Sequence, residues 1–190
     1  MNIDITKFNK ENVVDTCSIW NILSSNRFYS VAIDIVKEFA ITEYVVYEAL
    51  FKKRTSMNSS DKILKTRLEK EISIKKFKVY GISIADLQEV EILNNRRNLG
   101  KGEISSIAFA KKTGKLSFIT EDQSARKFSR EIVKVNTQTT SHILGWLFFE
   151  GYLLDGDLQY IVDEHKSFNG PLEKYFKEVY EEAYRCKLMK

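Results

Sequence analysis

Proline is nearly missing from this chain: Pro171 stands alone among 190 residues. Cysteine and histidine are scarce as well, with Cys17, Cys186, His142 and His165 the full set. Two cysteines exclude a disulfide framework. With two widely separated histidines they also exclude most structural zinc sites, which need about four Cys/His ligands. Long apolar runs are lacking too. The longest, Ile143–Phe149, reaches Leu154 only by taking in Glu150, well short of the roughly 18 residues of a membrane span. The start of the chain carries Asp4, Lys7 and Lys10 with no apolar segment behind a basic head, so it does not read as a signal peptide. Together these absences point to a reduced, cytoplasmic setting with no membrane partner.

What is present suffices for a globular domain. The chain is 43% hydrophobic and 29% charged, and a chain of this length buries about 70% of its unfolded surface. The formal net charge is +4, unevenly spread: residues 51–80 hold ten Lys/Arg against three acids, and residues 150–190 hold six against nine. A basic middle and an acidic tail suit a polyanionic partner on one face. They read equally well as a solvated helical hairpin.

Strand and helix patterns alternate about five times. Asn12–Asp15, Phe39–Ile41, Phe77–Ile82, Leu116–Ile119 and Ile132–Val135 read as strands. Between and after them, helices are expected at 18–23, 30–38, 43–51, 63–71, 83–93, 103–113, 124–130, 141–149, 158–164 and 172–184. Thr42, Asp61 and Ser83 are placed as N-caps, Asp86 approximates a capping box with the shorter acid, Gly114 is a left-handed stop, and Pro171 is a first-turn residue. Short Val/Ile/Phe runs without polar alternation mark strands buried on both faces, hence a parallel sheet covered by helices. In such sheets ligands gather at the carboxyl ends of the strands.

The acids fall where that rule looks. Asp15 ends the first strand and Asp122 follows the fourth; Glu48 lies on the helix after the second strand, and Glu103 in the first turn after the Gly100-Lys101-Gly102 loop. Taken one by one, Asp15 and Asp122 are ordinary caps, Glu48 a solvated helix residue and Glu103 a dipole partner. Taken together they put four carboxylates at one crevice. That arrangement repels itself unless a hard cation such as Mg²⁺ or Mn²⁺ neutralises it.

The segments Val13-Val14-Asp15-Thr16-Cys17-Ser18, Thr42-Glu43-Tyr44-Val45-Val46-Tyr47-Glu48-Ala49-Leu50, Leu99-Gly100-Lys101-Gly102-Glu103-Ile104 and Phe118-Ile119-Thr120-Glu121-Asp122 resemble, in that order, the motifs of the PIN domain. The likeness is to a PIN-like branch with a Leu-Gly-x-Gly-Glu motif and covers roughly residues 12–150. It implies a three-layer α/β/α sandwich around a mostly parallel sheet of about five strands, and a Mg²⁺- or Mn²⁺-dependent nuclease. Residues 1–150 would form the nuclease domain, with a basic insertion at 52–78. Residues 151–190 would be a C-terminal helical extension packed on it. Asp15, Glu48, Glu103 and Asp122 are the implied metal-binding acids. Thr16, Ser18 and Thr120 would support them, and Glu121 would be an extra or substitute acid. Many such proteins are ribonucleases, including toxins of toxin–antitoxin pairs. An antitoxin-like protein partner, or a second copy of the chain, is therefore among the expected partners. Glu103 stands where many PIN ribonucleases have Asp, though the Gly-Glu branch shares it.

Lys52, Lys53, Arg54, Arg97, Lys101, Arg126 and Lys127 are the cations placed to meet a nucleic-acid backbone, which such contacts position without reading sequence. Arg126 reads equally as a salt-bridge partner of Glu121 or Asp122. Gly100-x-Gly102 follows a helix rather than a strand, which excludes a dinucleotide fingerprint. Cys17 has no histidine placed to activate it and reads as buried packing. Ile143–Phe149 reads as core. The C-terminal helix reads equally as a lid on the domain, a pairing surface or a mask over the basic region. The expected activity is hydrolysis of a phosphodiester, most plausibly in single-stranded RNA, by a toxin or defence ribonuclease. The alternatives are a catalytically silent binding subunit and a DNA-directed nuclease.

Overall fold

The first strand explains the whole sheet. In the computed structural model, which describes residues 4–52, 58–94 and 99–189, β1 (Glu11–Val14) lies in the middle of the sheet between β2 (Glu38–Thr42) and β4 (Ser117–Ile119). Successive strand residues point to opposite faces. Val13 accordingly packs with its neighbours Ala40 and Phe118 in one buried cluster, and Val14 with Ile119 in another. Both faces are covered, so both valines are apolar and the run shows no polar alternation. β3 (Phe77–Tyr80) and β5 (Thr137–Gln138) complete a five-stranded, all-parallel sheet of order β3-β2-β1-β4-β5.

One face packs against α1 (Thr16–Leu23), α2 (Asn26–Ile35), α4 (Ser59–Ser73), α8 (Thr140–Phe149), α9 (Asp157–Ser167) and α10 (Glu173–Leu188). The other packs against α5 (Ile84–Leu93), α6 (Lys101–Thr113) and α7 (Gln123–Phe128). The result is a three-layer α/β/α fold. A short α3 (Glu43–Val46) leaves the carboxyl end of β2 and continues into a π-helical turn, Tyr47–Phe51. Phe176, Val179 and Ala183 of α10, and Leu64 and Leu68 of α4, belong to the same buried cluster as Ile22 and Phe28. Residues 151–189 and the helical part of the basic stretch are thus built into one core. All ten residues of α8 are buried, as expected of a helix that is apolar nearly all round. Among the described residues, no helix is long and apolar enough to cross a membrane.

Caps behave largely as the local sequence dictates. Thr42 accepts from the Val45 amide, Ser83 from the Asp86 amide, and Gly114 ends α6 at φ 69°. Four expectations need correction. The expected strand Ile132–Val135 is a π-helical turn, Ser129–Val133, closed by Lys134 at φ 64° and by the Val135 amide donating to Ser129 O (2.9 Å). Val133 and Val135 are buried by that turn, and the strand comes later, at β5. The helix expected at 30–38 starts four residues earlier, because Ser25 accepts from the Phe28 amide (3.2 Å), and it stops at Ile35 ahead of β2. Asn58, not Asp61, caps α4; Asp61 supplies the reciprocal half of the capping box. Pro171 lies ahead of α10 rather than in its first turn, with Leu172 as the N-cap.

A candidate acidic site at the carboxyl edge of the sheet

The chain runs outward from β1 to β2 and β3, then crosses back to β4 on the other side of β1. The strand order therefore reverses between β1 and β4, the place where open parallel sheets form a ligand crevice outside the carboxyl ends of the strands. Asp15 follows β1 directly, and Asp122 follows β4 after Thr120 and Glu121. Each is a helix cap: Asp15 Oδ1 accepts from the Ser18 amide (2.7 Å), Asp122 Oδ1 from the Ala125 amide (2.6 Å). Capping and placement at the edge are therefore one arrangement, since each acid starts the helix that leaves its strand. Thr120 stands between the two acids: its hydroxyl accepts from the Asp122 amide (3.1 Å) and lowers the Asp15 carboxyl against the effect of burial.

Glu48 and Glu103 arrive from the other side. Thr16 Oγ1 donates to Glu48 Oε2 (3.1 Å), and the Gly100 amide donates to Glu103 Oε2 (2.7 Å). Gly102 brings the two helices together: a Cβ built on it would lie 2.2 Å from Glu48 Oε2. A hydroxyl relay fixes the same junction. Ser105 donates to Gly102 O (2.8 Å), which leaves Thr42 to donate its proton to Ser105 Oγ (2.6 Å). Neither the Gly102 contact nor this relay was foreseen, since both join residues that are distant along the chain. A glycine in a helix's first turn was the visible trace.

The electrostatics follow from the packing. Burial pushes the Asp15 carboxyl above its ordinary value, and the neighbouring Asp122 adds to the rise. Glu103 is raised by burial first, then by Asp122, Asp15 and Glu48. Glu103 thus feels all three of the other expected acids, and Asp15 feels Asp122. Among the described residues, however, no three His, Cys, Asp or Glu side chains stand close enough together to hold a single ion as placed. Lys52 is the cation near Glu48, its Nζ 4.0 Å from Oε1.

The remaining expected residues separate clearly. Ser18 contributes its amide; its buried hydroxyl lies near Asp15 without completing a hydrogen bond in the protein. Glu121 turns away onto α8, accepting from the Thr140 amide (2.6 Å), and burial raises its carboxyl. With Arg126, Tyr175 and Glu178 it lines a cavity of about 350 Å³ beside the crevice. The Arg126 guanidinium makes neither expected salt bridge as a hydrogen-bonded pair: Nη1 donates to the carbonyls of Thr120 (3.0 Å) and Glu121 (2.8 Å). Lys101 and Lys127 are exposed. Lys53, Arg54 and Arg97 lie outside the described residues. Within the basic stretch, Lys65 binds Leu50 O, Arg67 binds Leu23 O and packs on Tyr29 and Phe168, and Lys76 and Lys78 pair with Asp34 and Glu38. These four cations hold the fold.

Cys17 is exposed, not buried packing. Partial desolvation, then Asp15, Glu103, Glu48 and Glu121, push its thiol up to about 11, so it stays protonated and is no nucleophile. The acid crevice thus offers oxygen donors, excess negative charge and one exposed cationic rim, with no sulfur or imidazole in play. No family model matches this chain, and no curated protein or solved structure does either.

Proposed function

We propose that the chain is a divalent-metal-dependent nuclease that hydrolyses phosphodiester bonds, with single-stranded RNA as the favoured substrate. One observation supports this reading: Asp15 and Asp122 lie beyond the carboxyl ends of the two strands between which the strand order reverses, Glu103 feels both of them and Glu48, and burial and like charge raise Asp15 and Glu103. Charge without compensation at a crevice is chemically suited to a hard cation, and carboxylate oxygens are the donors that Mg²⁺ and Mn²⁺ prefer. Asp15, Asp122, Glu103 and Glu48 would hold it. Such an ion, when bound, supplies charge neutralisation at a phosphodiester and lowers the pKa of water.

The protein's own part is orientation. Glu48 and Glu103 are anchored through Oε2, and Asp122 through Oδ1. A carboxylate anchored through one oxygen keeps the other as a donor. Glu48 and Glu103 are only partly buried, so their outer bonds are free to turn a carboxylate towards an ion. Lys52 and Lys101 offer phosphate contacts at the rim. The unpaired cysteines suit a reducing compartment, and cytoplasmic action belongs to the same proposal.

The decisive assay is cleavage of labelled single-stranded RNA and matched DNA in Mn²⁺ and in chelator, beside Asp15→Asn. Metal-dependent cutting that the substitution abolishes supports the reading, and the DNA arm settles the sugar. The separation of the carboxylates favours a second reading, a silent binding subunit. No cutting, together with no thermal stabilisation by Mn²⁺, would select it.

A further inference from the structure

The acid crevice has an aromatic flank that nothing in the fold requires. Tyr47 is 58% and Phe51 68% exposed, although both rings are large and apolar. They belong to the π-helical turn that carries Glu48. Tyr47 and Phe51 are four apart on this turn, so their rings are neighbours, and Tyr44 and Glu48 form a second pair at the same spacing. Tyr44 also lines a groove of about 180 Å³ between α3, α5 and α6, with Leu87, Ile104, Gln88, Glu91 and Lys101. Lys101 opens the helix that carries Glu103, so the groove and the acid share the first turn of α6. Aromatic faces beside cations are the two components of sequence-tolerant single-strand binding: rings stack bases and lysines meet phosphates.

We propose that Tyr47 and Phe51 are a stacking platform for bases of a single-stranded nucleic acid, and that the Tyr44–Lys101 groove receives a neighbouring base of the same strand. The choice of ligand rests on the nuclease reading above. The platform explains a substrate preference that the acids cannot supply, because bases paired in a duplex do not present free faces. Lys52, which follows Phe51 in the chain and lies 4.0 Å from Glu48, and Lys101, which lines the groove, match the charge of the strand's backbone.

The test is binding in chelator, where no cleavage occurs, read as fluorescence anisotropy of a labelled single-stranded RNA dodecamer. Tyr47→Ala/Phe51→Ala should raise Kd about tenfold or more, with circular dichroism and melting unchanged because both rings are exposed. Phe51→Trp should hold Kd within about twofold, with the added indole fluorescence quenched on binding, a signature that a purely structural ring would not give. Lys101→Ala should lower the salt slope by about one. An unchanged Kd in the double variant, an unquenched indole, or no binding by the wild-type protein overturns the proposal. Its fate is separable from that of the nuclease reading. Cleavage with ring-independent binding removes the platform alone, and ring-dependent binding without cleavage removes the nuclease alone.

Discussion

Gly102 and Glu48 face each other so closely that a Cβ on the glycine would lie 2.2 Å from the carboxylate's Oε2. The contact lets the first turn of α6 approach the π-helical turn and sets Glu48 beside Glu103. Gly102→Ala should leave stability unchanged or slightly improved. Alanine is the better helix residue by about 1 kcal/mol, and the clash is with the far end of a flexible side chain. Glu48, however, must swing aside. Mn²⁺-dependent cleavage should fall about tenfold or more while the melting temperature holds. Full activity in Gly102→Ala would mean that the position of Glu48 does not matter.

Asp15→Asn separates function from stability. Asparagine caps helices as well as aspartate does, and the substitution removes a buried charge whose carboxyl is already pushed upward by desolvation. Thermal melts at neutral pH should show an equal or higher midpoint, with cleavage and Mn²⁺ stabilisation both lost. A large drop in melting temperature would show that the charge itself holds the fold.

His165 makes the protein acid-sensitive. The Leu172 amide donates to Nε2 (3.0 Å), so the proton sits on Nδ1 and points to Ser24 Oγ (2.6 Å), which donates to Asn21 O (2.7 Å). The ring is fully buried, and burial pushes its pKa down to about 4. A histidine depressed in the folded state is protonated more readily when unfolded. Its contribution is therefore complete above about pH 6.5 and is lost as pH falls towards 4. The shift corresponds to roughly 3 kcal/mol at most. Denaturant titrations across that window should show stability rising with pH, and His165→Gln should flatten the rise relative to the wild-type chain. The comparison with the variant matters because Asp15, Glu103 and Glu121, all raised, act in the opposite direction.

Gly145 sets the distance between α8 and α10. A Cβ there would lie 2.9 Å from Val179 Cβ and 3.1 Å from Ile5 Cγ2, both side chains of the core. Gly145→Ala should cost about 1–3 kcal/mol through overpacking despite alanine's better helix propensity. Adding Val179→Ala should recover part of that loss in the double variant. Additive losses would place the strain elsewhere.

What the sequence determined by itself is local. The valine pair of β1, the caps at Thr42 and Ser83 and the stop at Gly114 depend on neighbours within about four positions, so periodicity and side-chain chemistry reveal them. The parallel sheet follows from strands apolar on both faces, and it places Asp15 and Asp122 at one edge without reference to any tertiary contact. Tertiary structure decided the rest. It alone placed Gly102 against Glu48, spent Lys65, Arg67, Lys76 and Lys78 on the fold, turned Arg126 onto two carbonyls, and left Cys17, Tyr47 and Phe51 in solvent. A charge or an aromatic ring has the same local signature whether its partner is the protein, water or a ligand. Only packing between segments far apart in the chain determines which of these it meets.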